Sequence, residues 1–277
     1  MIRASVVFIV LFAIQMATVM EAGAGAWTQK KGGYYLKLAG GYLNSTEDID
    51  ATGSRIQKAG LGELRDVNYS LYLEYGVLNR LTLVASVPYK RLRDTRTFAT
   101  GKAFEKRSGF GDLEMRLRWQ AYQKSFVASL ALGGKLPMWY DEDPNTRVPL
   151  SSTEIDVDGR LLLGKSLYPF PGYLTGEFGY RKRGGNFSNE LFYGLEAGVN
   201  VDRFLFKGFV SGIHTSGMCA TTAEVGLIGD QNVLKFSPGI IYNVNSKLEM
   251  SLDFIHVASG CNTGAGNTIL FGFAFKK

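Results

Sequence analysis

Hydrophobic and polar side chains take turns along most of this chain. Tyr69, Leu71, Leu73, Tyr75 and Val77 occupy every second place, and Asn68, Ser70, Tyr72, Glu74 and Gly76 fill the gaps. Successive side chains on a strand point to opposite faces, so such a stretch has one apolar and one polar face. The pattern predicts strands near 33–43, 66–78, 80–92, 109–122, 125–138, 153–167, 172–182, 188–200, 203–213, 232–244, 247–258 and 267–276. Five of the connections are short and rich in Asn, Asp, Ser and Pro, such as Asn79-Arg80 and Asn245-Ser246-Lys247. The segments between them, around 44–65, 93–108, 139–152, 183–187, 214–231 and 259–266, are mostly longer. Tight turns alternating with long loops predict a closed antiparallel transmembrane β-barrel of about twelve strands, all-β, with short periplasmic turns and long extracellular loops.

The polar faces separate a barrel from a soluble sandwich. Parity puts Leu113, Met115, Leu117 and Trp119 outward, and Asp112, Glu114, Arg116, Arg118 and Gln120 inward. The strand near 153–167 repeats this, with Ile155, Val157, Leu161 and Leu163 outward and Glu154, Asp156, Asp158 and Arg160 inward. A dry core between two sheets does not hold so many charges on one face. A lumen does, when acid and base pair across neighbouring strands. Glu74, Asp112, Glu114, Arg116, Arg118, Asp156, Asp158 and Arg160 are therefore expected to line it, either as a selectivity belt or as braces. Tyr75, Trp119, Phe204 and Tyr242 point outward beside the short turns, where a periplasmic aromatic girdle belongs.

The amino terminus carries its own signal. Arg3 precedes the apolar run Val6 to Ile14, and Ala22-Gly23-Ala24-Gly25-Ala26 offers small-residue cleavage sites. This reads as a secretory signal peptide over 1–26, cut before Trp27, with the barrel over 27–277. Gln15, Thr18 and Glu21 interrupt the run below the length of a membrane helix. The chain has 34 glycines, 14 tyrosines and 18 phenylalanines, which suits a curved sheet with aromatic belts. The formal net charge of +6 is spread among acids on the strands rather than gathered in a stripe, so no nucleic-acid partner is expected. The expected partners are outer-membrane lipid, a small-molecule solute and the barrel-assembly machinery.

Export places the two cysteines, Cys219 and Cys261, in an oxidising compartment, within the last two long loops. They are a candidate disulfide, with free thiols or a bond to a partner as the alternatives. His256 lies near Cys261, but two histidines and no Cys-x-x-Cys give no metal-site spacing. No glycine loop follows a strand and opens a helix, so no cofactor is expected. His214-Thr215-Ser216 places a base and a hydroxyl on the lipid-facing side near the outer rim. This resembles the His-x-Ser-Asn of outer-membrane phospholipase A and lipid A deacylase, except that Gly217 stands where those have Asn. Glu224 is the nearest third group in the sequence.

Several stretches also resemble, in order, the outer-membrane proteins grouped under the MetA pathway of phenol degradation. They are Tyr75-Gly76-Val77-Leu78-Asn79-Arg80-Leu81, Val87-Pro88-Tyr89, Gly109-Phe110-Gly111-Asp112-Leu113, Gly134-Lys135-Leu136-Pro137, Ser152-Thr153-Glu154-Ile155-Asp156 and Gly260-Cys261-Asn262-Thr263. The resemblance implies an outer-membrane transporter, in some members linked to uptake of aromatic or other apolar compounds, and carries no catalytic residues. The function expected is a channel or transporter for small, apolar or amphiphilic molecules. The alternatives are an acyl hydrolase using His214 and Ser216, and a structural or interaction barrel without transport.

Overall fold

The computed structural model describes residues 25–138, 148–215 and 230–277. The strands are β1 (Tyr34–Ile49), β2 (Arg55–Gln57), β3 (Glu63–Leu78), β4 (Leu81–Phe98), β5 (Gly101–Phe110), β6 (Leu113–Gln123) and β7 (Val127–Leu136). They continue with β8 (Asp156–Ser166), β9 (Gly172–Lys182), β10 (Glu190–Val201), β11 (Phe204–Thr215), β12 (Asn232–Asn243), β13 (Leu248–Cys261) and β14 (Thr263–Lys276). Each pairs antiparallel with its neighbour, and β14 closes on β1 from Tyr35↔Lys276 to Ile49↔Thr263. This is a closed twelve-strand outer-membrane β-barrel, because β2 is a short flap on the end of β1 and β5 with β6 form one stave. No helix among the described residues is long and apolar enough to cross a membrane.

The stave made of β5 and β6 is broken at Gly111-Asp112. Its lower part pairs with Leu81–Ser86 of β4 and its upper part with Tyr89–Phe98. The continuous strand expected over 109–122 is corrected accordingly. The wall is also taller on the loop side than the alternation suggests. Residues 93–98 and 101–108, expected in a long loop, belong to a hairpin, because Arg91 and Arg93 keep the outward parity while Leu92 and Asp94 stay buried. The loop expected over 259–266 is a tight reversal between β13 and β14, with Asn262 in the left-handed region at φ 51°. Asn tolerates that conformation, which a tight turn requires.

Outward parity holds where it was assigned. Met115, Leu117 and Trp119 are exposed on one strand, and Val157, Leu161 and Leu163 on another. Near the short turns Phe204 packs on Tyr242 with ring centroids 5.0 Å apart, and Tyr75 and Trp119 lie exposed. The short turns and Lys277, whose N–H donates to the Tyr34 carbonyl, share one end of the barrel, taken here as periplasmic.

Buried residues line the inside of the wall. At the loop end Leu64 and Leu92 pack with Val148 and Leu150, so the segment after residue 147 folds inward over the lumen. Another cluster at that end joins Ile49, Val233, Val257 and Ala265.

Candidate functional site: a strapped, charge-braced lumen

Three layers follow one another inside the barrel. At the periplasmic end the chain before β1 turns inside. Gly32 N–H donates to the Gly76 carbonyl at 2.8 Å, and Gly76 N–H donates to the Gly33 carbonyl at 2.9 Å. Only glycine fits at 76, since a Cβ there would sit 1.9 Å from the Lys30 carbonyl oxygen. From this anchor on β3 the strap crosses the barrel. Gln29 N–H donates to Thr82 Oγ1 at 2.8 Å, and its side-chain amide to Glu74 at 2.9 Å. Thr28 Oγ1 donates to Gln120 at 2.6 Å. The Trp27 carbonyl accepts from Arg118 at 2.8 Å. On the far wall Ala26 packs with Val127, Ala131 and Leu162, and its carbonyl accepts from Ser129 Oγ at 2.6 Å. The Trp27 ring lies between that cluster and a second one of Tyr173, Leu205 and Ile241, edge-on to Tyr173 at 6.4 Å. Gly164 leaves room for it, since a Cβ would come within 2.6 Å of the indole. The strap thus reaches from β3 to β12.

Above it lies a belt of ion pairs. Asp158 is the hub. Arg116 holds it with two hydrogen bonds, at 2.8 and 2.9 Å, while Arg160 approaches at 3.0 Å and Arg181 at 3.2 Å. These guanidiniums share further carboxylates: Arg116 with Glu114 at 2.8 Å, Arg160 with Glu177 at 3.5 Å, and Arg181 with Glu190 at 3.8 Å. Arg160 and Arg181 also lie over the Phe192 ring at 4.7 and 4.5 Å. Nearer the strap, Glu74 accepts from Arg118 at 2.9 Å and from the Tyr72 hydroxyl at 2.6 Å. Nearer the outside, Lys135 bridges Asp112 and Asp156, each at 3.1 Å. A second patch on the opposite wall ties Asp253 to Lys37 and Lys207, and Glu249 to Lys276 and the Tyr35 hydroxyl.

Thus Glu74, Asp112, Glu114, Arg116, Arg118, Asp156, Asp158 and Arg160 all face inward and all have charged partners. Sequence reasoning missed Lys135, Arg181, Glu190, Lys37, Lys207 and Asp253. Their inward parity was available on β7, β9, β10, β1, β11 and β13, but Lys135, Lys37, Lys207 and Asp253 each stand alone among small or apolar neighbours, and Arg181 is lost in the basic run Arg181-Lys182-Arg183. The strap carried no periodic signal at all.

The third layer is a cavity of about 280 Å³ at the loop end. Leu43, Leu64, Leu92, Leu150 and Ile213 form an apolar patch on its wall. The rest of the lining is mostly polar or charged, with Lys90 and Asp66 beside the patch and Lys135, Asp156, Arg181 and Glu190 of the belt below. Lys90 has no ion pair among the described residues. Neither has Lys235, which lies on a strand across the lumen within range of the Lys90 charge.

His214 is exposed on the outer face, opposite Leu191 on β10, and its side chain makes no hydrogen bond among the described residues. Ser216, Gly217 and Glu224 lie outside the described residues, as does most of the segment 1–26 expected to be a signal peptide. Cys261 is disulfide-bonded, and Cys219 lies outside the described residues. His256 hydrogen-bonds Asn267 at 2.7 Å on the outer face.

No protein-family model and no curated protein sequence matches the chain. Solved structures do. A COG4313 outer membrane channel from Pseudomonas putida F1 superposes with a TM-score of 0.68 at 13% identity, covering 93% of this chain and 100% of that one. The NanC porin follows with 0.55 at 9% identity, covering 87% and 100%. The transport unit of the autotransporter AIDA-I from Escherichia coli gives 0.51 at 9% identity, covering 95% and 97%. The shared feature is the fold of an outer-membrane barrel.

Proposed function

We propose that this barrel is an outer-membrane channel or transporter for small apolar or amphiphilic molecules. The observation that carries the reading is the layering of the lumen. A wide porin needs a broad aqueous path, whereas here a strap crosses the interior and a belt of paired charges lines it below a cavity with an apolar patch. Charges that neutralise one another within hydrogen-bond distance do not form a ring of one sign, which ion selectivity requires. The cavity offers Leu64, Leu92 and Leu150 to an apolar body and Lys90, which makes no ion pair among the described residues, to a polar end. The rest of the lining is mostly polar or charged, which suits an amphiphile with one apolar part. That the COG4313 protein is a channel, and the family resemblance seen in the sequence, point the same way.

Cleavage before Trp27 belongs to the same proposal. It removes Ala26 and its contact with Ser129, and leaves the Trp27 ring and the bonds of Thr28 and Gln29 in place. The acyl-hydrolase alternative draws no support from the compared structures, which are channels and a transport unit.

The test is a pair of measurements on the reconstituted barrel. Planar-bilayer recordings should show low conductance with weak ionic selectivity. Titration of nanodisc-held barrel with a medium-chain amphiphile should show saturable binding, weakened about tenfold by Leu92→Asp. Large, strongly selective conductance with no amphiphile binding would reverse the conclusion.

A further inference from the structure

The outer wall over β3, β4 and β5 carries a second feature that transport does not explain. Register sets outward side chains there in rows across the strands. Tyr69, Tyr89 and Phe110 form one row, with Tyr89 and Phe110 packed edge to face at 5.3 Å. One step toward the loops, Tyr42, Val67, Arg91 and Ser108 are in register, and the next row is Asn44, Arg65, Arg93 and Lys106. Neighbouring strands are about 4.8 Å apart, so Arg93 stands directly between two other cations. Like charges opposite one another on a sheet destabilise it. Arg65 has Glu63 at 2.9 Å, but Arg91, Arg93 and Lys106 make no ion pair among the described residues. Arg93 and Lys106 instead lie over the exposed Phe104 ring at 5.4 and 5.3 Å. All of these cations are solvent-exposed on the outer face.

Their height is what gives them meaning. Exposed aromatics on a barrel mark the membrane interface. Leu71 and Val87 continue the outward faces below the aromatic row, toward the periplasm. The cations begin one outward step above it, roughly 7 Å along the strand, and so lie at headgroup level in the outer leaflet. A phosphate there would meet guanidiniums, whose planar forks bind it through two hydrogen bonds, with an ammonium beside them. We infer that Arg91, Arg93 and Lys106, with Arg65 at the edge, form a docking site for the phosphate groups of a phosphorylated glycolipid of the outer leaflet. The acyl chains of that lipid would run down over Tyr69, Tyr89 and Phe110. The bound phosphate relieves the repulsion within the row and fixes the tall β4–β5 hairpin at the membrane surface.

The experiment uses the purified full-length barrel in detergent micelles, with bisphosphorylated lipid A and its dephosphorylated form as probes and bound lipid counted by native mass spectrometry. The wild-type barrel should hold the bisphosphorylated form at least tenfold more tightly. Combining Arg91→Gln, Arg93→Gln and Lys106→Gln should abolish that preference. Arg203→Gln, at an exposed periplasmic turn, should leave it intact, as should the charge-keeping set Arg91→Lys, Arg93→Lys and Lys106→Arg to within severalfold. Heat-modifiable gel migration reports folding of every variant. Equal retention of both lipids by the wild type, or undiminished preference in the folded glutamine variant, would overturn the proposal. So would full displacement of the lipid by inorganic phosphate at matched phosphate concentration, which would mark a simple anion site.

Discussion

Removing the Trp27 ring tests whether the strap controls the lumen. Trp→Ala in a packed core costs about 3–5 kcal/mol. The Trp27 ring is only partly buried between its two clusters, so roughly 2 kcal/mol of strap docking should go with it. Gln29, Thr28 and the Gly32–Gly76 pairing remain, so the strap stays tethered while its far end is freed. A loss of about 2 kcal/mol raises the undocked population by roughly 30-fold. In planar-bilayer recordings Trp27→Ala should therefore spend about 30-fold more time in a larger conductance level than the wild type, up to saturation. Gly164→Leu should act in the same direction from the wall, because its side chain occupies the space of the indole. Conductance and dwell times identical to wild type in both folded variants would refute the reasoning, since the strap would then not restrict the path.

The belt, the disulfide and the outer rim give further expectations. Asp158→Ala leaves Arg116, Arg160 and Arg181 without their shared carboxylate, and should cost about 3–5 kcal/mol in urea unfolding from lipid vesicles. Joint Arg116→Ala and Arg118→Ala should shift the bilayer reversal potential toward cations if both guanidiniums border an open path, and an unchanged potential and conductance would identify them as braces. Cys261→Ser should lower stability by about 2–4 kcal/mol under oxidising conditions, and alkylation of the unreduced wild type should find no free thiol. His214→Ala should leave transport unaltered, and lipid hydrolysis that vanished with it would revive the enzyme reading.

The legible part of this fold was the part that repeats. Leu113 to Trp119 shows its facing because charge and apolar bulk alternate without interruption, and Val157 to Leu161 because Asp158 and Arg160 take every second place; lipid on one side enforces the alternation. The β4–β5 hairpin was hidden because above the membrane both faces are polar, so period two loses its contrast. Asn262 looked like loop because glycine, asparagine and threonine cluster there, although one left-handed residue suffices for the reversal. At the site, Glu114, Arg116, Asp158 and Arg160 were visible as charges in strand parity. Which of them met, and that Arg181 and Lys135 complete the belt, depends on strand order around the barrel. The strap was invisible because Trp27-Thr28-Gln29 follows no period; its meaning comes from the walls that it touches.

The most direct test of the transport claim is the initial rate at which intact Gram-negative cells, with or without this protein, take up a radiolabelled small aromatic compound. The account predicts a severalfold faster, saturable uptake in cells carrying the barrel, competed by other apolar compounds, with entry of a disaccharide unchanged. Equal aromatic uptake in both strains, or disaccharide entry accelerated as much, would contradict it.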